Sequence, residues 1–133
     1  MKKIEHIGIA VNDLNKANKI YSDILGVNPY KTETVESEKV ITSFFKCGDT
    51  KIELLQGVDE TSAISKFIKK KGEGMHHVAF EVEDIKSEII RLKKLGFQVI
   101  NDMPKKGADN KLICFLHPKS ANYVLIELCQ KIK

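Results

Sequence analysis

Apolar and polar residues alternate from Ile4 to Val11. The spacing then becomes helical, with Leu14, Ala17, Tyr21 and Ile24 sharing one face. Asp13 stands where an N-cap belongs and Gly26 where a helix ends, so the segment reads as strand then helix. From about Tyr30 to Gln56, β-branched and aromatic runs are interrupted near Ser37 and at Gly48-Asp49, a pattern that predicts a three-strand meander. Ser62 then caps a short amphipathic helix through Ile64, Phe67 and Ile68, followed by a connection at Gly72-Glu73-Gly74. Alternation returns from Met75 to Val82. Asp84 caps a helix carrying Ile85, Ile89, Leu92 and Leu95, and Gly96 ends it. Three more strands are expected near 97–101, 111–116 and 123–129, with a lysine-rich loop over 104–110 between the first two.

Each half therefore reads βαβββ, and the halves match residue by residue. His6-Ile7-Gly8-Ile9-Ala10-Val11-Asn12-Asp13-Leu14 recurs 71 positions on as His77-Val78-Ala79-Phe80-Glu81-Val82-Glu83-Asp84-Ile85. Lys51-Ile52-Glu53-Leu54-Leu55 recurs 74 positions on as Leu125-Ile126-Glu127-Leu128-Cys129. A chain of 133 residues holds one shared core rather than two independent ones. The expectation is one α+β domain over 1–133, made of modules at about 4–56 and 75–130 and a helical linker at 57–74. A helix on one face of each sheet leaves the other face to be covered by its twin. Two such sheets side by side would form a half-open, eight-stranded, barrel-like sheet with an interior cavity. His6, Gly8 and Ala10 fall on the face away from the helix, as do His77, Ala79 and Glu81, and that parity selects His77 over His76.

Two histidines and two glutamates thus hold equivalent places, as in one metal site straddling a pseudo-twofold axis. Nitrogen and oxygen donors in this set suit a divalent ion. With two carboxylates among the donors, Ni²⁺ or Co²⁺ is favoured and Zn²⁺ is compatible. The expected ligands are His6, Glu53, His77 and Glu127, all from one chain, with a homodimer carrying two separate sites. His76 should pack away from the ligands. His117, before Pro118, should belong to a turn at the cavity rim. Cys47, Cys114 and Cys129 have no cysteine at the matching place of the other half, read as core residues, and by their odd number argue against a disulfide framework.

Charge and composition narrow the partners. The net charge of +4 is carried by lysines, with Arg91 the sole arginine, and aromatics are 7% of the chain, so the forks and stacking platforms of nucleic-acid readers are missing. Lys66, Lys69, Lys70 and Lys71 form one cluster and Lys105, Lys106, Lys111 and Lys119 are spread through another stretch; the lysines read first as solvated surface, and as attraction for a small anionic substrate second. No apolar run approaches the roughly 20 residues of a membrane span, and a cytoplasmic location is expected.

Taken together, His6-Ile-Gly-Ile-Ala-Val, Ile52-Glu53-Leu54-Leu55, Gly74-Met75-His76-His77-Val78-Ala79-Phe80, His117-Pro118-Lys119-Ser120 and Leu125-Ile126-Glu127-Leu128 resemble the vicinal oxygen chelate (glyoxalase/bleomycin resistance/dioxygenase) superfamily over the whole chain. Within it they resemble the branch of glyoxalase I and the methylmalonyl-CoA epimerases. The resemblance implies a base that takes a proton from carbon beside a carbonyl while a metal steadies the resulting enolate or enediolate. The same resemblance implies that this base is Glu127, or Glu53 opposite it. The activity expected first is that of a lactoylglutathione lyase, which converts the methylglyoxal–glutathione hemithioacetal to S-lactoylglutathione. Methylmalonyl-CoA epimerase is the alternative, and a metal-free binding or sequestration protein the third reading. Either enzyme would act on an anionic, thiol-conjugated small molecule. Two departures stand out. The place two after Val40, acidic in bacterial epimerases of this branch, is Thr42, and lysines must replace the arginines expected beside glutathione carboxylates.

Overall fold

The computed structural model describes residues 1–133. Its elements run β1 (Lys3–Ala10), α1 (Leu14–Leu25), β2 (Lys31–Val35), β3 (Val40–Cys47), β4 (Thr50–Gly57), α2 (Ala63–Lys71), β5 (Gly74–Glu81), α3 (Ile85–Lys94), β6 (Lys105–Lys106), β7 (Lys111–Leu116) and β8 (Ile126–Lys131), an α+β chain in which βαβββ occurs twice. Two compact units result: His6–His76, and His77–Lys133 together with Met1–Glu5. The linker helix α2 belongs to the first.

In the first unit the strands hydrogen-bond in the order β2-β3-β4-β1, with β1 parallel to β4 and the others antiparallel. Asp13 caps α1 as the sequence predicts, its Oδ1 accepting from the Lys16 amide at 3.1 Å, and Gly26 closes the helix at φ +72°, a conformation that costs little without a Cβ. The buried face is Leu14 and Ala17, with Tyr21 and Leu25 packing beside them on Val11, Phe45 and Leu54. Ile24, expected on that face, is 67% exposed. One helical step, about 100°, separates it from Leu25, and Leu25 takes the contact. Helix α2, capped by Ser62, lies so close to the end of β4 that a Cβ on Gly57 would run into the Ser62 and Ser65 side chains.

The second unit repeats the plan as β5-β8-β7-β6, with β5 parallel to β8. Helix α3 buries Ile85, Ile89 and Leu92 against Val82, Cys114, Leu116 and Leu128. Leu95, expected on the same face, is the C-cap and is exposed.

The strand expected over 97–101 is reduced to one bridge, Val99 with Leu116, and the paired β6 lies further on at Lys105–Lys106. The backbone explains the shortfall. The Gln98 amide is taken by Ser120 Oγ at 3.2 Å, and Pro104 brings no amide to a ladder. The strand expected over 123–129 begins later, at Ile126, because Asn122 and Tyr123 turn at φ +56° and +65°.

Helices α1 and α3 are tied to their sheets by one device used twice. Gln56 Oε1 accepts from the Leu14 amide at 2.7 Å, and Gln130 Oε1 accepts from the Ile85 amide at 2.8 Å. Each glutamine follows the Glu of its half by three positions and satisfies an amide that the first helical turn leaves open.

Candidate metal-binding half-sites

The face of each sheet opposite its helix carries the polar residues, and register sets which of them meet. In the first unit Gly8 lies opposite Glu53, and His6 is two residues before Gly8 on the same face. In the second, Ala79 lies opposite Glu127, with His77 two residues before it. A small residue beside each glutamate leaves space for the histidine to lean along the sheet toward the carboxylate. The results are alike: His6 Nδ1 is 3.1 Å from Glu53 Oε2, and His77 Nε2 is 3.3 Å from Glu127 Oε1. All four side chains are buried, at 3% to 6% exposure.

Each unit thus supplies one imidazole nitrogen and one carboxylate oxygen within reach of each other, half of the donor set expected from the sequence. Buried carboxylates are costly unless paired with positive charge, and a divalent ion with nitrogen and oxygen preferences supplies it. The residues present fit such an ion.

The same register brings in residues that sequence reading missed. On its other side Glu53 faces Phe44 of β3, and Glu127 faces Phe115 of β7. The Phe115 ring meets the His77 ring edge-on, with centroids 6.0 Å apart. These phenylalanines are 71 positions apart, so the repeat contained the signal, but Phe45 beside Phe44 obscured which of the two was in step. Glu5 was also missed. It is buried, and its charge is among those that push the Cys129 thiol up.

The other residues singled out from the sequence fall outside the two pairs. His76 points to the opposite side of β5 from His77 and lies edge-on to Phe67 of α2, with ring centroids 4.9 Å apart. Its burial lowers its pKa to about 4. His117 is turn structure, its Nδ1 accepting from the Lys119 amide at 3.1 Å. Cys114 and Cys129 are core residues, whereas Cys47, expected to join them, is exposed where β3 turns into β4. Lys69, Lys70 and Lys71 occupy the last turn of α2, where cations favour the helix dipole. Lys105 and Lys106 form β6, and Lys111 is buried, its ammonium 3.4 Å from the Asp109 carbonyl. No helix is long and apolar enough to cross a membrane.

The family model described as the Glyoxalase/Bleomycin resistance protein/Dioxygenase superfamily matches residues 5–115, and the chain belongs to that superfamily. It is 39% identical to the ethylmalonyl-CoA/methylmalonyl-CoA epimerase of Cereibacter sphaeroides, over 96% of this chain and 97% of that one. It is also 39% identical to the mitochondrial methylmalonyl-CoA epimerase of Mus musculus, over 96% of this chain and 72% of the relative. Among solved structures, a variant of the Streptomyces coelicolor methylmalonyl-CoA epimerase in complex with 2-nitronate-propionyl-CoA superposes with a TM-score of 0.94 at 34% identity, covering 98% of this chain and 95% of that one. A probable lactoylglutathione lyase of Synechocystis is more distant, at 26% identity over 95% of each chain. The lyase activity expected first from the sequence is therefore less well supported than its alternative.

Proposed function

We propose that this protein is a metal-dependent epimerase of a short branched acyl-CoA, with methylmalonyl-CoA as its substrate. The observation that carries the reading is that relatives at 39% identity over 96% of this chain are epimerases of this kind, whereas the lyase relative stands at 26%.

In this reading His6, Glu53, His77 and Glu127 of one chain hold a single divalent ion, for which Ni²⁺ or Co²⁺ suits the two carboxylates and two imidazoles, with Zn²⁺ also compatible. When bound, the ion supplies the positive charge that makes a proton beside a carbonyl easier to remove. The chain's own residues do the rest. Glu127 accepts the proton from carbon 2 of the acyl group, its carboxylate held in place by His77 on one side and bordered by Phe115 on the other. Phe115, Ile113 and Ala79 give that face an apolar lining, and an apolar lining excludes competing water. Lysine ammonium groups, in place of arginine forks, attract the anionic carrier.

The test is turnover by protein reconstituted with Ni²⁺, Co²⁺ or Zn²⁺, supplied in parallel with single-isomer methylmalonyl-CoA and with the methylglyoxal–glutathione hemithioacetal. Inversion of the acyl-CoA is expected. Conversion of the hemithioacetal alone would overturn the reading in favour of the lyase.

A further inference from the structure

Epimerisation requires a proton to leave one face of a carbon and another to arrive on the opposite face, so a single fixed carboxylate serves only half of the reaction. Strand register points to where the second group lies. On β2, Glu33 is directly opposite Thr42 of β3, two residues from the pair Phe44 and Glu53, so Glu33, Thr42, Phe44 and Glu53 all project from the same face of the first unit's sheet. Thr42 is fully buried and its hydroxyl has no hydrogen-bond partner, an open polar position on that face beside Glu33. Glu33 differs from the buried pair below it. Its side chain is 34% exposed, with Oε1 3.4 Å from the Lys31 ammonium, so it can exchange protons with water between turnovers. Glu33 lies two strand spacings across and two residues along from Glu53, or about 12 Å between backbones. That separation leaves room on this face for a small acyl group beside Glu53.

Building on the proposed epimerase reading, we propose that Glu33 is the second proton-handling carboxylate, in place of the acidic residue whose position Thr42 occupies. One carboxylate takes the proton from carbon 2, and the electrons of that C–H bond move toward the thioester, whose carbonyl oxygen takes the charge. The protonated partner then delivers its proton to the opposite face, the new C–H bond forms and the carbonyl is restored. The two carboxyl groups finish with their protonation states exchanged and reset against solvent.

Glu33→Gln tests this in D₂O, with deuterium entry at carbon 2 and change of configuration followed separately for each isomer. Wild-type protein should show both. The variant should lose inversion by about 10² to 10⁴-fold while still washing deuterium into one isomer with configuration retained, because the remaining base still removes and returns a proton on its own face. Undiminished inversion in Glu33→Gln would overturn the assignment, as would equal loss of exchange from both isomers. Unchanged melting temperature and metal content in Glu33→Gln and Glu33→Asp, with partial inversion regained in Glu33→Asp, exclude a folding effect. A wild-type protein that neither exchanges nor inverts the acyl-CoA fails the epimerase reading itself, and the role of Glu33 falls with it.

Discussion

Acidification probes how His76 is packed. The ring sits against Phe67, and burial holds its pKa down from the usual 6.5 to about 4. The Glu38 carboxylate pulls the other way, and the Lys71 ammonium adds to the depression. Above the unfolded pKa the ring is neutral in both states and contributes no pH dependence. Below it the unfolded chain takes up a proton that the folded chain refuses, so stability falls as pH drops from 6.5 toward 4 and levels off beneath. The loss is about 2 kcal/mol by about pH 5 and about 3 kcal/mol when complete. His76→Phe keeps an aromatic ring on Phe67 and removes the proton site. Urea unfolding of metal-stripped wild type and His76→Phe, at about pH 7.5 and about pH 5, isolates the effect, since all other groups are common to both. The wild type should lose about 2 kcal/mol more than the variant on acidification. Equal losses would refute the half-buried, neutral state of His76.

Three further outcomes follow from the packing and the site. Phe45 is fully buried under α1, so Phe45→Ala should cost about 3 to 5 kcal/mol and lower the melting temperature by on the order of 10 °C, read by calorimetry. Alkylation of the native chain should modify Cys47 alone. Burial and the nearby Glu127 charge push the Cys114 thiol up to about 12 and Cys129 further still, so a mass increase at either in the folded protein would contradict their placement. Glu127→Gln should keep most of its metal and lose about 10² to 10⁴ in turnover, and an active variant would move the base role to Glu53.

The fold was legible in the sequence wherever a local signal agreed with the long-range pattern. Asp13 and Gly26 mark the ends of α1, and alternation identified His77 rather than His76 as the member of the polar face. What was not legible depended on pairing. The segment 97–101 has the apolar content of a strand, yet Ser120 and Pro104, acting from outside that segment, cut its ladder to one bridge. Ile24 and Leu25 are equally apolar neighbours, and only the angle at which α1 meets Phe45 and Leu54 decides which is covered. Phe44, Phe115 and Glu33 acquire meaning through the residues opposite them, a relation that the order of the chain does not display.

The claim that joins the two half-sites is that they serve one ion. Metal analysis of purified protein and of His6→Ala and His77→Ala measures it directly. One divalent ion per chain is expected, with removal of either histidine weakening affinity at least tenfold to a hundredfold, the scale already seen when only supporting residues are lost. Two ions per chain, or a His77→Ala protein that binds its metal as tightly as the wild type, would contradict it.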